Sequence, residues 1–95
     1  MAKGPKRLQL YVTPNAETDL NYWKTSGNQK ILERIYSLIS SALETPQSGI
    51  GKPKRLKFEG GETYSRRINQ QHRLVYRIEG ERLIILAARF HYGDK

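Results

Sequence analysis

The residues best equipped for chemistry gather in the second half of the chain. They are Arg67, Arg73, Arg77 and Arg89, with a His91-Tyr92 pair close behind. Their spacing has a period of two. Tyr64, Arg66 and Ile68 oppose Ser65, Arg67 and Asn69, while Leu74, Tyr76 and Ile78 oppose Arg73, Val75 and Arg77. Strand alternation sends such sets to opposite faces of a sheet. By the same rule Arg89 and His91 share one face of the last predicted strand. Faces that meet on one side would surround a phosphodiester with guanidinium groups, an imidazole and a phenol. Arginine suits this because its planar fork binds two phosphate oxygens and stays charged. Histidine exchanges a proton near neutral pH. A phenol stacks on a base or, with its pKa lowered by neighbouring cations, joins the proton transfers.

Bulk charge agrees with an anionic target. The chain of 95 residues carries 17 Lys+Arg against 9 Asp+Glu, a formal net charge of +8. Residues 1–50 hold six basic and four acidic side chains; residues 51–95 hold eleven and five. A basic field of this kind attracts polyanions and speeds their encounter. It equally fits an acidic protein partner or a solubilising surface, and charge does not choose among them.

Several chemistries are disfavoured. There is no cysteine, which excludes disulfides and thiolate metal sites and is compatible with the cytosol. His72 and His91 stand far apart with no carboxylate pair around them, a poor ligand spacing. No cofactor is expected. Gly49-Ile50-Gly51-Lys52 lacks the spacing and the following Ser or Thr of a phosphate-binding loop. Ser65 has no His-carboxylate pattern that would make it a nucleophile. The longest apolar run, Leu83 to Ala88, is far below the roughly 18 residues of a membrane span, and no apolar stretch follows the basic N-terminus to direct export.

The elements that must position these residues read as one α+β domain over residues 1–95, with a flexible arm at 1–6 and a flexible tail at 93–95. Arg7 to Thr13 alternates Leu8, Leu10 and Val12 with polar positions, the pattern of a half-buried strand. Thr13-Pro14 supplies an N-cap hydroxyl and a proline for the first helical turn. Ala16, Leu20 and Trp23 then form a stripe that stops at Ser26-Gly27-Asn28. Ile31, Ile35, Leu38 and Ala42, widened by Leu32, Ile39 and Leu43, make a clearer second helix. It ends before Pro46, which pushes Thr45 out of helical dihedrals. Trp23 and Tyr22 read as core or interface residues. Residues 45–55 form a Gly- and Pro-rich loop. A meander follows, with a turn at Glu79-Gly80-Glu81 and a last strand from Leu83 to Tyr92 that is apolar enough to be central. The helices gather on one face of the sheet.

Certain motifs carry a family resemblance: Gly51-Lys52-Pro53 through Leu56-Lys57, Ser65-Arg66-Arg67-Ile68-Asn69, His72-Arg73-Leu74-Val75-Tyr76, and Ala88-Arg89-Phe90-His91-Tyr92. In order and spacing they resemble the YoeB branch of the RelE superfamily of type II toxin–antitoxin toxins. The Trp23 helix and the Thr45-Pro46 break match as well, so the likeness runs from Leu8 to Tyr92. The resemblance implies a RelE-like fold, with an N-terminal strand and two-helix hairpin packed on an antiparallel sheet. It also implies an endoribonuclease that enters the ribosomal A site and cleaves mRNA by metal-free attack of the 2′-hydroxyl on the adjacent phosphorus.

On that resemblance Arg67 and Arg73 hold and neutralise the scissile phosphate, His91 is the general acid, and Tyr92 positions or stacks the substrate. Lys52, Lys57, Arg66 and Arg89 contact RNA. The pattern departs at one place. Lys54 stands where the family has the glutamate that serves as general base, so the base would be Lys54 itself, or Glu59 or Glu62 swinging in, or activity would be weakened. A second departure is Gly93-Asp94-Lys95 after a tyrosine at which members commonly end. The resemblance further implies an acidic, partly disordered antitoxin of the YefM or Phd kind, folding onto the basic face, and allows a homodimer through the helices. A gyrase-inhibiting ParE-like toxin and a catalytically weak RNA- or antitoxin-binding relative are the alternatives.

Overall fold

A computed structural model describes residues 7–57 and 60–90. The predicted arm (1–6), Glu59, the His91-Tyr92 pair and the tail (93–95) lie outside the described residues. The chain runs β1 (Gln9–Val12), α1 (Pro14–Thr25), α2 (Gln29–Glu44), β2 (Lys54–Arg55), β3 (Glu62–Arg67), β4 (Arg73–Glu79) and β5 (Arg82–Ala87). The five strands form one sheet in the order β1-β5-β4-β3-β2. The meander is antiparallel, and β1 lies parallel to β5 at the edge. The sheet is therefore mixed rather than purely antiparallel. β5 is interior as expected, although β4 is the middle strand.

Local sequence explains the helix boundaries. Thr13 caps α1, its Oγ1 accepting from the Ala16 N–H at 3.1 Å and donating to the Ile85 carbonyl at 2.9 Å. One hydroxyl thus starts the helix and ties it to β5. Gly27 takes the left-handed conformation between the helices at φ +79°, where a side chain would be strained. Glu79 pairs with Arg82 across a two-residue loop, and Gly80 has φ +61°, the geometry such hairpins favour.

One face of the sheet is covered by both helices. Ala16, Trp23, Leu32, Ile35, Leu38 and Ala42 pack against Tyr64, Leu74, Tyr76, Leu83 and Ile85 in a single core. Side chains as deeply buried as Ile35 and Leu38 each contribute about 1.5–3 kcal/mol. β1 is less buried than its alternation suggests, with Leu10 and Tyr11 nearly half exposed, because an edge strand has a neighbour on one side only.

Two predictions of the sequence need correcting. The last strand ends at Ala87 rather than Tyr92. Register slips between Val75 and Tyr76, leaving Leu86 opposite no single partner, and Phe90 has φ +69°. A bulge followed by a left-handed residue takes the chain off the sheet, so two-residue alternation no longer governs Arg89. Secondly, Lys54–Arg55 forms a short strand inside the predicted loop, paired antiparallel to Tyr64–Ser65.

Arg66 is the unexpected occupant of the core. It is fully buried, and five hydrogen bonds leave its guanidinium at 2.7–2.9 Å. Nε donates to the Tyr76 hydroxyl. Nη1 donates to Ser41 Oγ and the Ile50 carbonyl, and Nη2 to the carbonyls of Thr45 and Ser48. A guanidinium has five N–H donors, and all five are satisfied. Tyr76 passes the link on, donating to the Pro46 carbonyl at 2.6 Å. Burial pushes its phenol above the ordinary tyrosine range, opposed by the hydrogen bond from Arg66.

Two results should follow. Tyr76→Phe should lower the unfolding free energy in urea by about 1–3 kcal/mol, because Arg66 Nε loses its acceptor. The raised pKa makes the phenol's contribution fully present below the unfolded value of about 10 and lost as pH rises beyond it. Alkaline destabilisation should therefore be shallower in Tyr76→Phe than in the native chain; equal slopes would show that the phenol is not linked to folding.

Candidate active site

The face of the sheet turned away from the helices carries the cations. On β3 it presents Thr63, Ser65 and Arg67, and on β4 Arg73, Val75 and Arg77. Thr63 lies opposite Arg77, Ser65 opposite Val75, and Arg67 opposite Arg73. On β2, Lys54 lies opposite Ser65. Directly opposed residues stand about 5 Å apart, and like charges so placed are destabilising. Arg67 and Arg73 are such a pair. An anion held between them would bind both.

Buried hydroxyls aim these side chains. Arg73 Nε donates to Ser65 Oγ at 2.9 Å, and Arg77 Nε donates to Thr63 Oγ1 at 3.1 Å. Ser65 and Thr63 are both fully buried. Arg77 also meets Glu79 at 3.7 Å, which draws it toward the far end of the strand. Arg67, by contrast, is exposed while its backbone is fixed. Its N–H donates to the Gly51 carbonyl at 2.8 Å, and its own carbonyl accepts from Arg34 Nη2 at 3.1 Å.

Lys52 and Lys54 come to the same end of the sheet through the loop that Arg66 anchors. Gly51, at φ +85°, packs where a Cβ would fall 2.5 Å from Leu38 Cδ2. Only glycine permits that approach. Lys52 follows at φ +51°, a left-handed conformation uncommon outside glycine and often found at functional positions. Lys52, Lys54 and Lys57 are all exposed.

The predicted site residues therefore separate. Arg67, Arg73 and Lys54 converge on one face, and Lys52 leads into the strand that carries Lys54. Lys57 lies just beyond that strand. Arg89 is half-buried, its guanidinium carbon 3.5 Å from the centre of the Tyr22 ring and 4.5 Å from that of Phe90. Arg66 was expected to contact RNA. Its burial and five internal hydrogen bonds remove it from any such contact; it holds the loop instead. His91 and Tyr92 lie outside the described residues and follow Phe90 directly in the chain.

Sequence reasoning missed the residues that seat the end of β5. Asn15, Asp19 and Trp23 recur at spacings of four on α1. Asn15 Nδ2 donates to the Leu86 carbonyl at 3.0 Å, Asp19 Oδ2 accepts from the Ala88 N–H at 2.9 Å, and Trp23 Nε1 donates to the Ala88 carbonyl at 2.9 Å. The signal was present as a helical stripe, but a polar one. Reading for apolar residues alone passed over Asp19, which is buried. No group of three or more His, Cys, Asp or Glu able to hold a metal ion occurs among the described residues.

Comparison with known proteins gives this geometry a family. The sequence profile for a YoeB-like toxin of bacterial type II toxin–antitoxin systems matches residues 12–92. Toxin YoeB of Synechocystis is 46% identical over 70 residues, which cover 74% of this chain and 81% of that protein. The YoeB dimer of Staphylococcus aureus superposes with a TM-score of 0.81 at 36% identity, covering 90% of this chain and 99% of that one. The YoeB–YefM complex from the same species superposes at 0.77 with 38% identity over the same shares. The matched span contains both the Arg66-anchored loop and the opposed arginines, and the chain belongs to the YoeB-like toxins of bacterial type II toxin–antitoxin systems.

Proposed function

We propose that this toxin is a ribosome-dependent endoribonuclease that cuts mRNA in the A site by 2′-hydroxyl transesterification and thereby stops translation. The observation that carries this reading is the opposed Arg67–Arg73 pair with Lys54 on the adjoining strand. Two guanidiniums flanking one point suit a phosphorane, whose extra negative charge develops only in the transition state. Arg73, aimed by Ser65, and Arg67, free at its tip, bind the non-bridging oxygens. Lys54, in its neutral form, takes the proton of the 2′-hydroxyl as that oxygen attacks phosphorus. His91 gives a proton to the departing 5′-oxygen, leaving a 2′,3′-cyclic phosphate and a 5′-hydroxyl. Tyr92 stacks on or positions the substrate, and Lys52, Lys57 and Arg89 contact the RNA backbone. The reaction needs no metal, since the cations supply the charge and the side chains carry the protons.

The partners follow from charge and from the relatives. An acidic antitoxin covers the basic face, as the Staphylococcus complex with YefM suggests, and self-association has a precedent in the dimer from that species. The toxin acts in the cytoplasm, where its ribosomes are. Among the described residues no helix is long and apolar enough to cross a membrane. Lys54 supports a second reading, a binding relative with weak catalysis, since the resemblance places a glutamate there.

Primer extension on mRNA from translating bacteria distinguishes them. Expression of the native chain should give A-site cuts, reduced about 10²-fold or more in Arg73→Ala and His91→Ala. Intact mRNA under toxic expression would end the nuclease reading, and a silent native chain with an active Lys54→Glu variant would establish the weak relative. A second prediction concerns the cost of the site. Arg67→Gln should leave the fold unchanged or stabilise it by a few tenths of a kcal/mol, because like-charge repulsion is relieved. The same change should weaken RNA binding and flatten its salt dependence by about one counterion. Destabilisation beyond about 1 kcal/mol would show instead that Arg67 serves the fold.

A further inference from the structure

Arg89 differs from the other arginines of the second half in having ring faces rather than oxygens around it. Its guanidinium carbon lies 3.5 Å from the centre of the Tyr22 ring and 4.5 Å from that of Phe90. Rings attract a cation through their faces, but they leave its in-plane N–H groups without acceptors. Among the described residues no acceptor meets this guanidinium, and its Nε is buried without a hydrogen-bond partner. By contrast, Arg66 spends all five donors inside the protein, Arg73 donates to Ser65 and Arg77 to Thr63. The hydrogen-bonding fork of Arg89 is therefore unspent, although its faces are covered.

The backbone around this stack is fixed on both sides. Asp19 and Trp23 hold the N–H and the carbonyl of Ala88. The Phe90 N–H donates to His72 Nδ1 at 2.7 Å, and its carbonyl accepts from the Arg73 N–H at 3.1 Å. Tyr22 meets Trp23 edge-on at 5.0 Å. Phe90 keeps φ +69°, a conformation unusual for a bulky residue and a form of strain that gathers at ligand sites. Core packing does not account for it, since Phe90 is 59% exposed. The bond to Arg73 also sets this exposed ring at the border of the sheet end that bears the opposed arginines.

We propose that Tyr22, Arg89 and Phe90 form a nucleotide subsite for single-stranded RNA, distinct from the scissile phosphate site. The exposed ring of Phe90 stacks the base, and the fork of Arg89, held flat by Tyr22, binds that nucleotide's phosphate. A carboxylate from a protein partner would satisfy Arg89 but would leave the exposed ring of Phe90 unused; a nucleotide engages both. Stacking of this kind tolerates every base, so the subsite adds grip on the strand rather than a sequence preference. The proposal rests on the nuclease reading for the identity of the strand, whereas binding at the stack needs no cleavage.

The test uses the whole chain and a single-stranded deoxyoligonucleotide carrying one 2-aminopurine, placed at successive positions. Lacking a 2′-hydroxyl, this probe cannot be cut. At one position the native chain should quench the fluorescence, as stacking on an aromatic ring does. Phe90→Leu should remove that quenching and weaken binding about tenfold, the scale of one stacked base, while Phe90→Trp should restore both. Arg89→Gln should weaken binding and flatten its salt dependence by about one phosphate contact. Circular dichroism of each variant should match the native chain. Absence of quenching at every position, or unchanged affinity in Phe90→Leu, overturns the proposal. So does an Arg89→Gln variant that keeps oligonucleotide affinity but loses a glutamate-rich peptide, since the stack would then serve a protein partner. Quenching without A-site cuts sinks the nuclease reading and leaves the subsite standing; A-site cuts with unchanged affinity in Phe90→Leu do the reverse.

Discussion

A single buried cation organises the half of the molecule that bears the candidate site. Arg66 enters the core from β3 with no carboxylate among its hydrogen-bond partners. Five neutral oxygens receive its five N–H groups instead. Removing a guanidinium from water costs several kcal/mol, and charge-assisted hydrogen bonds of about 1.5–3 kcal/mol each offset that. The balance holds only if every acceptor is present together. Three of them are carbonyls of residues 45, 48 and 50, so the loop cannot move away without stranding the charge. The sequence after Pro46 has too few apolar side chains to fold down by hydrophobic burial. Electrostatic anchoring takes its place, and it delivers Lys52 and Lys54 beside Arg67.

The opposite side of the site is fastened by a different kind of bond. The end of β5 would fray where the bulge at Leu86 interrupts pairing. Asn15, Asp19 and Trp23 take up the carbonyl of Leu86 and both polar groups of the Ala88 peptide. Helix α1 thus substitutes for a strand neighbour, supplying side-chain partners where the ladder stops. A buried peptide left unpaired is costly, which gives this arrangement its strength. It also explains why α1 buries a carboxylate on a face that packs against the sheet.

Between these two anchors lies the opposed pair of arginines. Arg67 and Arg73 face one another across β3 and β4. Tyr64 and Tyr76 stack there at 5.9 Å, under strands whose other face is charged. On the proposed reading, the rigidity of that support suits opposed cations to a phosphate, because they need not reorganise when charge develops.

Periodicity alone determined the helix pair, the meander and which residues of β3 and β4 share a face, because those features arise from local rules: the 3.6- and two-residue repeats, the Thr13-Pro14 start and the break at Pro46. It likewise brought Arg67 and Arg73 to one side, and the run of motifs pointed to the family. Tertiary structure decided the rest. Arg66 and Arg67 are adjacent and chemically identical, yet one is a structural cation and the other faces the site. Nothing in their type separates them; the difference is the presence of five acceptors gathered from α2, the following loop and β4. The early end of β5 was equally hidden, since an apolar run reads as strand until a bulge and a left-handed Phe90 turn it aside. The charged residues of the second half were legible as candidates. Which of them serve the fold and which face an anion depended on partners distant in sequence, and only the folded chain brings those together.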